Sequence, residues 1–253
     1  IPTSDGIIHG AGDELYNNAS EFYRAENGQP IGYFWGYKTA GIFQNTQEID
    51  EWRAAGNGIL QSNVQPGDVR FVDRNHDGQI NDKDKVNLGN GTPDFTLGLN
   101  LGFVYKGFDF SIVANGAFGQ QIVQSYRNHT RPTPNYTTAI LDRWHGEGTS
   151  NRIPRVTDSN INYQFSDLFI QNGDYLRLST LTLGYDFAKL FKGKAVSQAR
   201  LYFQVQNLFI ITGYDGMDPE IGFGSSNNSW VSGLDYGYYP RPRTVLVGVN
   251  LKF

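Results

Sequence analysis

Hydrophobic and polar residues alternate strictly in five stretches of the chain. In the first stretch, Phe95, Leu97 and Leu99 fall on one face, whereas Thr96 and Gly98 fall on the other. A period of two places successive side chains on opposite faces, so each stretch predicts a β-strand with one apolar face. The five stretches are residues 95–105, 108–119, 179–187, 200–209 and 244–253.

The length of these strands and of their connections favours a membrane barrel over a soluble β-sandwich. Each strand has about ten residues, the length that crosses a bilayer at a tilt, whereas ordinary strands average about five or six. Their polar faces carry Thr, Ser, Asn, Gln and Gly rather than the Lys and Glu of a solvated sheet. Only Lys106 and Gly107 separate the first two strands, which predicts a tight hairpin, whereas 120–173 and 210–243 are long. Outer-membrane barrels have short periplasmic turns and long outer loops.

Five strands cannot close such a barrel by themselves. Single-chain bacterial barrels have an even number of strands, at least eight, and an open edge in lipid leaves backbone groups unpaired at several kcal/mol each. We therefore expect these strands to pair with strands outside this chain. The predicted fold is all-β: residues 1–93 form an extracellular loop region, and 94–253 form the last five transmembrane strands of a large antiparallel barrel. Residues 120–173 and 210–243 are then extracellular loops.

Composition and charge narrow the classes of function. The 253 residues carry a net charge of −4, which gives no basic surface for nucleic acid. The chain has no Cys, which excludes disulfides, thiolate metal sites and cysteine nucleophiles. No apolar run approaches the ~18 residues that a membrane helix needs. The start at Ile1 shows no signal peptide, so we expect an intracellular chain or a partial one, and the strand count favours the latter.

The segment DRNHDGQINDKD, residues 73–84, has the spacing of an EF-hand calcium loop. The expected metal ligands are the side-chain oxygens of Asp73, Asn75 and Asp77, the backbone carbonyl of Gln79 and the closing carboxylate of Asp84. Such an all-oxygen set prefers calcium, with magnesium as the second choice, although Asp84 is shorter than the usual Glu.

The flanks of this loop indicate its role. A strand-like segment precedes it, and the Asn- and Gly-rich segment after it does not favour a helix. A calcium sensor opens a pair of helices, so we expect a structural clamp on an outer loop instead. The alternative is an Asp- and Asn-rich turn that hydrogen-bonds to itself.

Other candidate residues do not assemble into a catalytic pattern. The four His residues are scattered, and no pair of carboxylates suggests a glycosidase, so we expect no enzyme. Aromatic residues in the outer segments either bind sugars or peptides or pack the loops together. They are Tyr33, Trp35, Tyr37, Trp52, Trp144, Trp230, Tyr236, Tyr238 and Tyr239.

The order of the motifs resembles the C-terminal part of the SusC/RagA-type TonB-dependent outer-membrane transporters of Bacteroidota. The segments that carry this resemblance are GQPIGYFWGYKTAGIFQN (28–45), QPGDVRFVDRNHDGQINDKDKVNLGN (65–90), TPDFTLGLNLGFVYKGFDFS (92–111), RWHGEGTSNRIPR (143–155), DLFIQNGDYLRLSTLTLGYDF (167–187), ARLYFQVQNLFIITGYDGMDPEIG (199–222) and YYPRPRTVLVGVNLKF (238–253).

This resemblance implies a barrel of roughly 22 strands with a plug in its lumen. It further implies import of oligosaccharides or peptides across the outer membrane. The expected partners are the N-terminal remainder of the transporter, which holds the plug and binds TonB, a SusD-like surface lipoprotein and outer-membrane lipid. The rival interpretation is a soluble, secreted β-protein that binds glycans or proteins through a dockerin-like calcium loop.

Overall fold

The computed structural model describes residues 6–10, 22–124, 138–157, 161–188, 196–221 and 232–253. Its strands are β1 (Ile8–Gly10), β2 (Tyr23–Ala25), β3 (Tyr33–Tyr37), β4 (Thr39–Ile42), β5 (Val69–Phe71), β6 (Lys85–Asn87), β7 (Phe95–Tyr105), β8 (Phe108–Phe118), β9 (Gln121–Gln124), β10 (Ile170–Asn172), β11 (Tyr175–Asp186), β12 (Gln198–Thr212), β13 (Leu234–Asp235) and β14 (Thr244–Lys252). The α-helix α1 is Thr46–Ala54, and 3₁₀ helices span Asp82–Asp84, Thr138–Asp142, Ile161–Tyr163 and Asp167–Phe169. Among these described residues, no helix is both long enough and apolar enough to cross a membrane.

The chain divides into two compact units. The first comprises residues 1–91, 121–171 and 222–237, and the second comprises 92–120, 172–221 and 238–253. The second unit contains the long strands that the alternating pattern predicts. The predicted extracellular position of 1–93 and of the long loops stays a prediction.

The second unit is a five-stranded antiparallel sheet in the order β14-β12-β11-β8-β7. All five predicted strands are present, which confirms the all-β fold class. The hairpin between β7 and β8 turns on Lys106 and Gly107, with φ of 48° and 93°. Two central residues with positive φ match the twist of antiparallel strands, so the turn closes the hairpin in two residues as predicted.

Two strands of this sheet are longer than the alternation indicates, because a β-bulge interrupts the pattern. The register shifts between Leu178 and Thr180 on both sides of β11, and Asn207 on β12 has a φ of 52°. The bulge takes up the extra residues, so Leu178 still pairs with Phe209 beyond it. Strict alternation therefore placed the start of β11 at Ser179 instead of Tyr175 and the end of β12 at Phe209 instead of Thr212.

The first unit has its own hydrophobic core. Its sheets are β1-β2-β3-β6, β4-β5 and β10-β9-β13. One buried cluster contains Phe22, Tyr23, Phe34, Val123, Phe165, Phe169 and Leu234, and a second contains Tyr37, Val69, Phe71 and Ile80. Phe22 meets Tyr23 edge-on with ring centroids 4.7 Å apart, a favourable aromatic geometry. The first unit therefore forms a packed structure of its own.

Helix α1 begins directly after its N-cap residue, Asn45. The side chain of Asn45 accepts a hydrogen bond from Glu48 N at 3.0 Å, and Glu48 Oε2 accepts one from Gln44 N at 2.9 Å. The first contact satisfies a backbone donor that the first helical turn leaves free, and the second ties the residue before the cap to the helix. Ile49 is the buried residue of this helix, which belongs to the first unit.

Candidate functional site

The apolar faces of the five long strands join into one continuous surface. Three rows of directly paired residues cross the whole sheet: Leu101–Ile112–Leu181–Val205–Val245, Phe103–Phe110–Leu183–Phe203–Val247 and Tyr105–Phe108–Tyr185–Leu201–Val249. Large side chains of this surface are exposed, with Phe103 at 60% and Val247 at 70%. A soluble protein rarely exposes so extended an apolar surface, so this face requires an apolar environment.

The opposite face of the sheet is mainly polar. Arg200 donates to Asp109 through Nε and Nη2, at 2.7 and 2.5 Å. This paired geometry is the strong form of an arginine–carboxylate contact. A Cβ at position 184 would lie 2.3 Å from Asp109 Oδ1, so a side chain there would displace the ion pair from its present position.

Strand length and open edges both match a segment of a membrane barrel. The 11 residues of β7, at about 3.3 Å each and a tilt of 35–45°, cover about 25–30 Å along the membrane normal, close to the apolar band of an outer-membrane barrel. Within the described residues, β7 and β14 each pair with one neighbour only. Their free backbone edges require further strands in lipid.

The predicted calcium loop lies in the first unit, with its two end carboxylates buried. Asp73 is 1% exposed, and its Oδ2 accepts hydrogen bonds from Gly58 N and Gly78 N, both at 2.9 Å. Its other oxygen, Oδ1, is buried and has no hydrogen-bond partner. Unpaired buried carboxylate oxygens are costly, so an oxygen in this state is suited to a cation.

Asp84 closes the loop by binding backbone N–H groups. Its Oδ1 accepts from Arg74 N at 2.9 Å and, more weakly, from Asn75 N at 3.5 Å, and its Oδ2 accepts from Asn81 N at 2.9 Å. Asp84 is fully buried and also caps the 3₁₀ helix that ends the loop. The two ends of the loop are therefore held together through Asp84.

The middle ligands predicted for calcium bind one another at the surface. Asn75 Nδ2 donates to Asp77 Oδ2 at 2.8 Å, Asp77 N donates to Asn75 Oδ1 at 3.1 Å, and Gln79 N donates to Asp77 Oδ1 at 2.9 Å. These are the self-bonded contacts of the alternative interpretation. In the part of the chain that the structure describes, no three His, Cys, Asp or Glu side chains converge as a metal-binding group.

The loop is anchored to the second buried cluster of the first unit. Ile80, the hydrophobic residue of the motif, is 8% exposed and packs in the cluster that includes Tyr37. Burial, together with the negative charges of Asp82 and Asp84, raises the pKa of the Tyr37 phenol to about 12. β5 precedes the loop and β6 follows it, so strands and not helices flank the motif, as the sequence indicates.

A buried polar network beside this loop was not evident from the sequence. Asn162 is fully buried; its Oδ1 accepts from Gln61 Nε2 and Val69 N at 3.0 Å each, and its Nδ2 donates to Asp68 Oδ1 at 2.8 Å. Asp68 also binds Arg155, with Nε to Oδ1 at 2.7 Å. The partners are about a hundred residues apart in sequence, so no local pattern points to them.

A second charged cluster, in the other unit, was also missed. Arg177 Nη2 lies 2.6 Å from Asp218 Oδ1, and its Nε lies 2.9 Å from Glu220 Oε2, as an ion pair without hydrogen-bond alignment. Arg241 Nη2 reaches Glu220 Oε1 at 3.2 Å. Arg177 lies on β11, and a charged residue within that strand is the sequence feature that could have indicated the cluster.

The candidate aromatic residues mostly pack. Tyr33 and Tyr37 are buried, and Trp52 and Trp144 donate through Nε1 to Gly58 O at 3.1 Å and Gln44 Oε1 at 3.2 Å. Tyr239, by contrast, is 87% exposed. Trp230 lies outside the described residues.

The sequence of the chain is similar to those of TonB-dependent receptors. It is 33% identical over 265 residues to TonB-dependent receptor P3 of Formosa agariphila, covering 100% of this chain and 25% of that protein. It is 32% identical over 197 residues to TonB-dependent receptor SusC of Bacteroides thetaiotaomicron, covering 77% of this chain and 18% of that protein. No family model matches the chain.

Solved structures show the same fold. The RagAB peptide transporter matches 98% of this chain and 24% of its own, with a TM-score of 0.64 and 20% identity. The RagAB peptide importer in its closed-closed state gives a TM-score of 0.66 at 19% identity, over 98% of this chain and 25% of that one. The chain spans about a fifth to a quarter of the length of these relatives.

Proposed function

The chain belongs to the SusC-like TonB-dependent receptors of the bacterial outer membrane, and we propose that it forms part of the barrel wall and outer surface of a nutrient transporter. The transporter imports oligosaccharides or peptides. The observation that carries this proposal is the continuous apolar face of the five-stranded sheet together with its two open edges. Such a sheet is stable in lipid only as a segment of a closed barrel.

The proposed partners follow from membership of this family. The remaining strands of the receptor pair with β7 and β14, the plug and the TonB-binding segment lie in the rest of the receptor, and a SusD-like lipoprotein covers the outer side. The relatives are named as receptors, which favours binding and transport over catalysis. The soluble, secreted alternative is not adopted, because the relative matched over the whole chain is a TonB-dependent receptor.

Uptake by cells that carry the whole receptor tests this function. Removing the receptor gene should abolish uptake of one class of labelled oligosaccharide or peptide, and dissipating the proton gradient should do the same. Removing the gene for the lipoprotein should lower uptake at limiting cargo. Unchanged uptake of every cargo after removal of the receptor would refute the proposal.

We further propose that the loop 73–84 binds calcium, with magnesium as a weaker substitute. The unpaired, buried Oδ1 of Asp73 supports this proposal, because it is the oxygen that the self-bonded loop leaves unused. Asp73, Asn75, Asp77, Gln79 and Asp84 would hold the ion, and the bound ion would fix an outer segment. Its binding requires the contacts among the middle residues to rearrange toward the ion.

The substitution Asp73→Asn separates calcium binding from folding. An asparagine oxygen can still accept from Gly58 N and Gly78 N, while the amide nitrogen replaces the oxygen available to the ion. We expect calcium affinity of the whole receptor in detergent to fall by more than about tenfold, measured by calorimetric titration.

Asp82→Asn is the matched control, because Asp82 is 82% exposed, pairs with Lys85 at 2.8 Å and is not an expected ligand. It should leave calcium affinity within about twofold of the wild-type value. A wild-type receptor that takes up no calcium at millimolar concentration, or equal affinity in Asp73→Asn, would contradict the proposal.

A further inference from the structure

A cleft opens beside β12 where β14 no longer covers it. The pairing of β14 with β12 ends at Gln206 and Thr244, whereas β12 continues to Thr212. The cleft is lined by Phe209, Met217, Pro240, Arg241 and Arg243, with Arg177 and Asp218 among its other lining residues. It lies in the second unit, at the end of the sheet opposite the turn at Lys106 and Gly107.

The cleft carries unbalanced positive charge at its surface. The charges of Asp218 and Glu220 are engaged by the buried Arg177, whose side chain is 5% exposed. Arg241 contacts Glu220 at 3.2 Å but keeps 57% of its side chain exposed. Arg243 is exposed and makes no ion pair within the described residues. Three arginines thus face two carboxylates, which leaves one positive charge in excess on the accessible side.

The same cleft borders the apolar face of the sheet. Phe209 continues that face beyond the bulge, pairing with Leu178, and is 48% exposed. Met217 is 52% exposed, and Tyr239, close to Arg241 in sequence, is 87% exposed. The cleft therefore combines exposed apolar side chains with exposed arginines, which matches a molecule with an anionic head and a hydrocarbon body.

The position of the cleft along the strands indicates the class of ligand that it would meet. Short turns of outer-membrane barrels lie on the periplasmic side, so the opposite end of β12 lies at the outer interface. Lipid headgroups there carry phosphate, and arginine binds phosphate through paired, charge-assisted hydrogen bonds. We propose that the cleft binds the phosphorylated headgroup of an outer-leaflet glycolipid. Arg241 and Arg243 contact the phosphate, and Phe209 and Met217 contact the first carbons of the acyl chains. This inference rests on the membrane location in the proposed function.

Titration of the whole receptor in detergent with monophosphorylated lipid A, followed by native mass spectrometry, tests the cleft. Each exposed arginine at an anionic interface contributes about fivefold in affinity. We expect Arg243→Gln to weaken binding about fivefold and the double variant Arg241→Gln, Arg243→Gln about 25-fold. Arg243→Lys should restore part of the loss because it keeps the charge. Arg152→Gln removes an exposed arginine of the first unit and should change nothing.

Two further probes distinguish the source of the phosphate. Dephosphorylated lipid A should bind as weakly to the wild type as lipid A binds to the double variant. Inorganic phosphate at millimolar concentration should not displace lipid A; full displacement would mean a site for free phosphate and would overturn the lipid assignment.

The variants also separate this proposal from the transport function. Arg243 makes no ion pair within the described residues, so Arg243→Gln breaks none there. The receptor with this substitution should therefore assemble and take up cargo as before. Equal lipid affinity of wild type and double variant, with normal uptake, would overturn the lipid site and leave the transport function standing. A wild-type receptor that does not insert into membranes would instead refute the proposed function.

Discussion

An arginine on the apolar face of β7 should destabilise the assembled barrel more than an arginine one position earlier does. Leu101 lies near the middle of the strand, pairs with Ile112 on β8 and is 53% exposed. Asn100 points to the opposite face and pairs with Val113. The two positions share the strand and the membrane depth and differ in the face that they occupy.

The size of the effect follows from the depth of Leu101. An arginine at the bilayer midplane on a lipid-facing strand costs about 2–4 kcal/mol, or about 30-fold to 1,000-fold in the folding equilibrium. Leu101→Ala removes the side chain without adding charge. Because about half of this side chain is left for lipid to cover, its cost should be about 1 kcal/mol. Asn100→Arg should cost less than Leu101→Arg because its charge reaches the polar lumen.

Urea titration of the whole receptor in lipid vesicles measures these differences, with heat-dependent electrophoretic mobility reporting the folded barrel. Leu101→Arg should lower the free energy of unfolding more than Leu101→Ala does. Asn100→Arg should lower it by at least about 1 kcal/mol less than Leu101→Arg. If Asn100→Arg costs as much as Leu101→Arg or more, the assignment of the two faces is wrong.

Three further predictions concern the first unit of the chain. Removing calcium with a chelator should speed hydrogen exchange in residues 65–90 and leave the strands from Phe95 onward protected; exchange that changes only in the strands would contradict the clamp. Asn162→Ala should destabilise the first unit, because each buried group left without a partner, including Val69 N–H, costs about 1–3 kcal/mol. Hydrogen exchange around Val69 should become faster. Unchanged protection of these amides would mean that the network does not stabilise the unit. Since burial raises the pKa of Tyr37 from 10.0 to about 12, its neutral form stabilises the fold below pH 10, and this contribution is lost as the pH rises through 12. Tyr37→Phe should remove that part of the alkaline destabilisation, which phenolate absorbance and the unfolding transition measure as the pH is raised. If the variant and the wild type lose stability identically with pH, Tyr37 does not contribute.

The strands of the sheet could be predicted because their signal is local. Alternation of apolar and polar residues defines a face without reference to any partner, and a two-residue connection such as Lys106–Gly107 permits only a hairpin. The predicted strands began too late on β11 and ended too early on β12, close to the bulge between Leu178 and Thr180 that breaks the period of two. A bulge is set by the pairing of neighbouring strands, which no single stretch of sequence records.

The calcium loop shows the same division within one motif. Its spacing is local, and the sequence alone placed Asp73 and Asp84 at its ends. Whether an oxygen remains for an ion depends on Gly58 N, which comes from outside the motif and takes one of the two oxygens of Asp73. The calcium assignment itself stays a prediction.

By itself, the sequence determined the all-β class, the two faces of the long strands, the need for further strands and the family. Only the tertiary structure decided which polar side chains meet: Asn162 with Asp68, and Arg177 with Asp218. The physical reason is the range of each interaction. Strand periodicity and turn geometry act over a few residues, so the sequence displays them, whereas buried ion pairs and hydrogen bonds join residues 94 and 41 positions apart, which only the folded chain brings together.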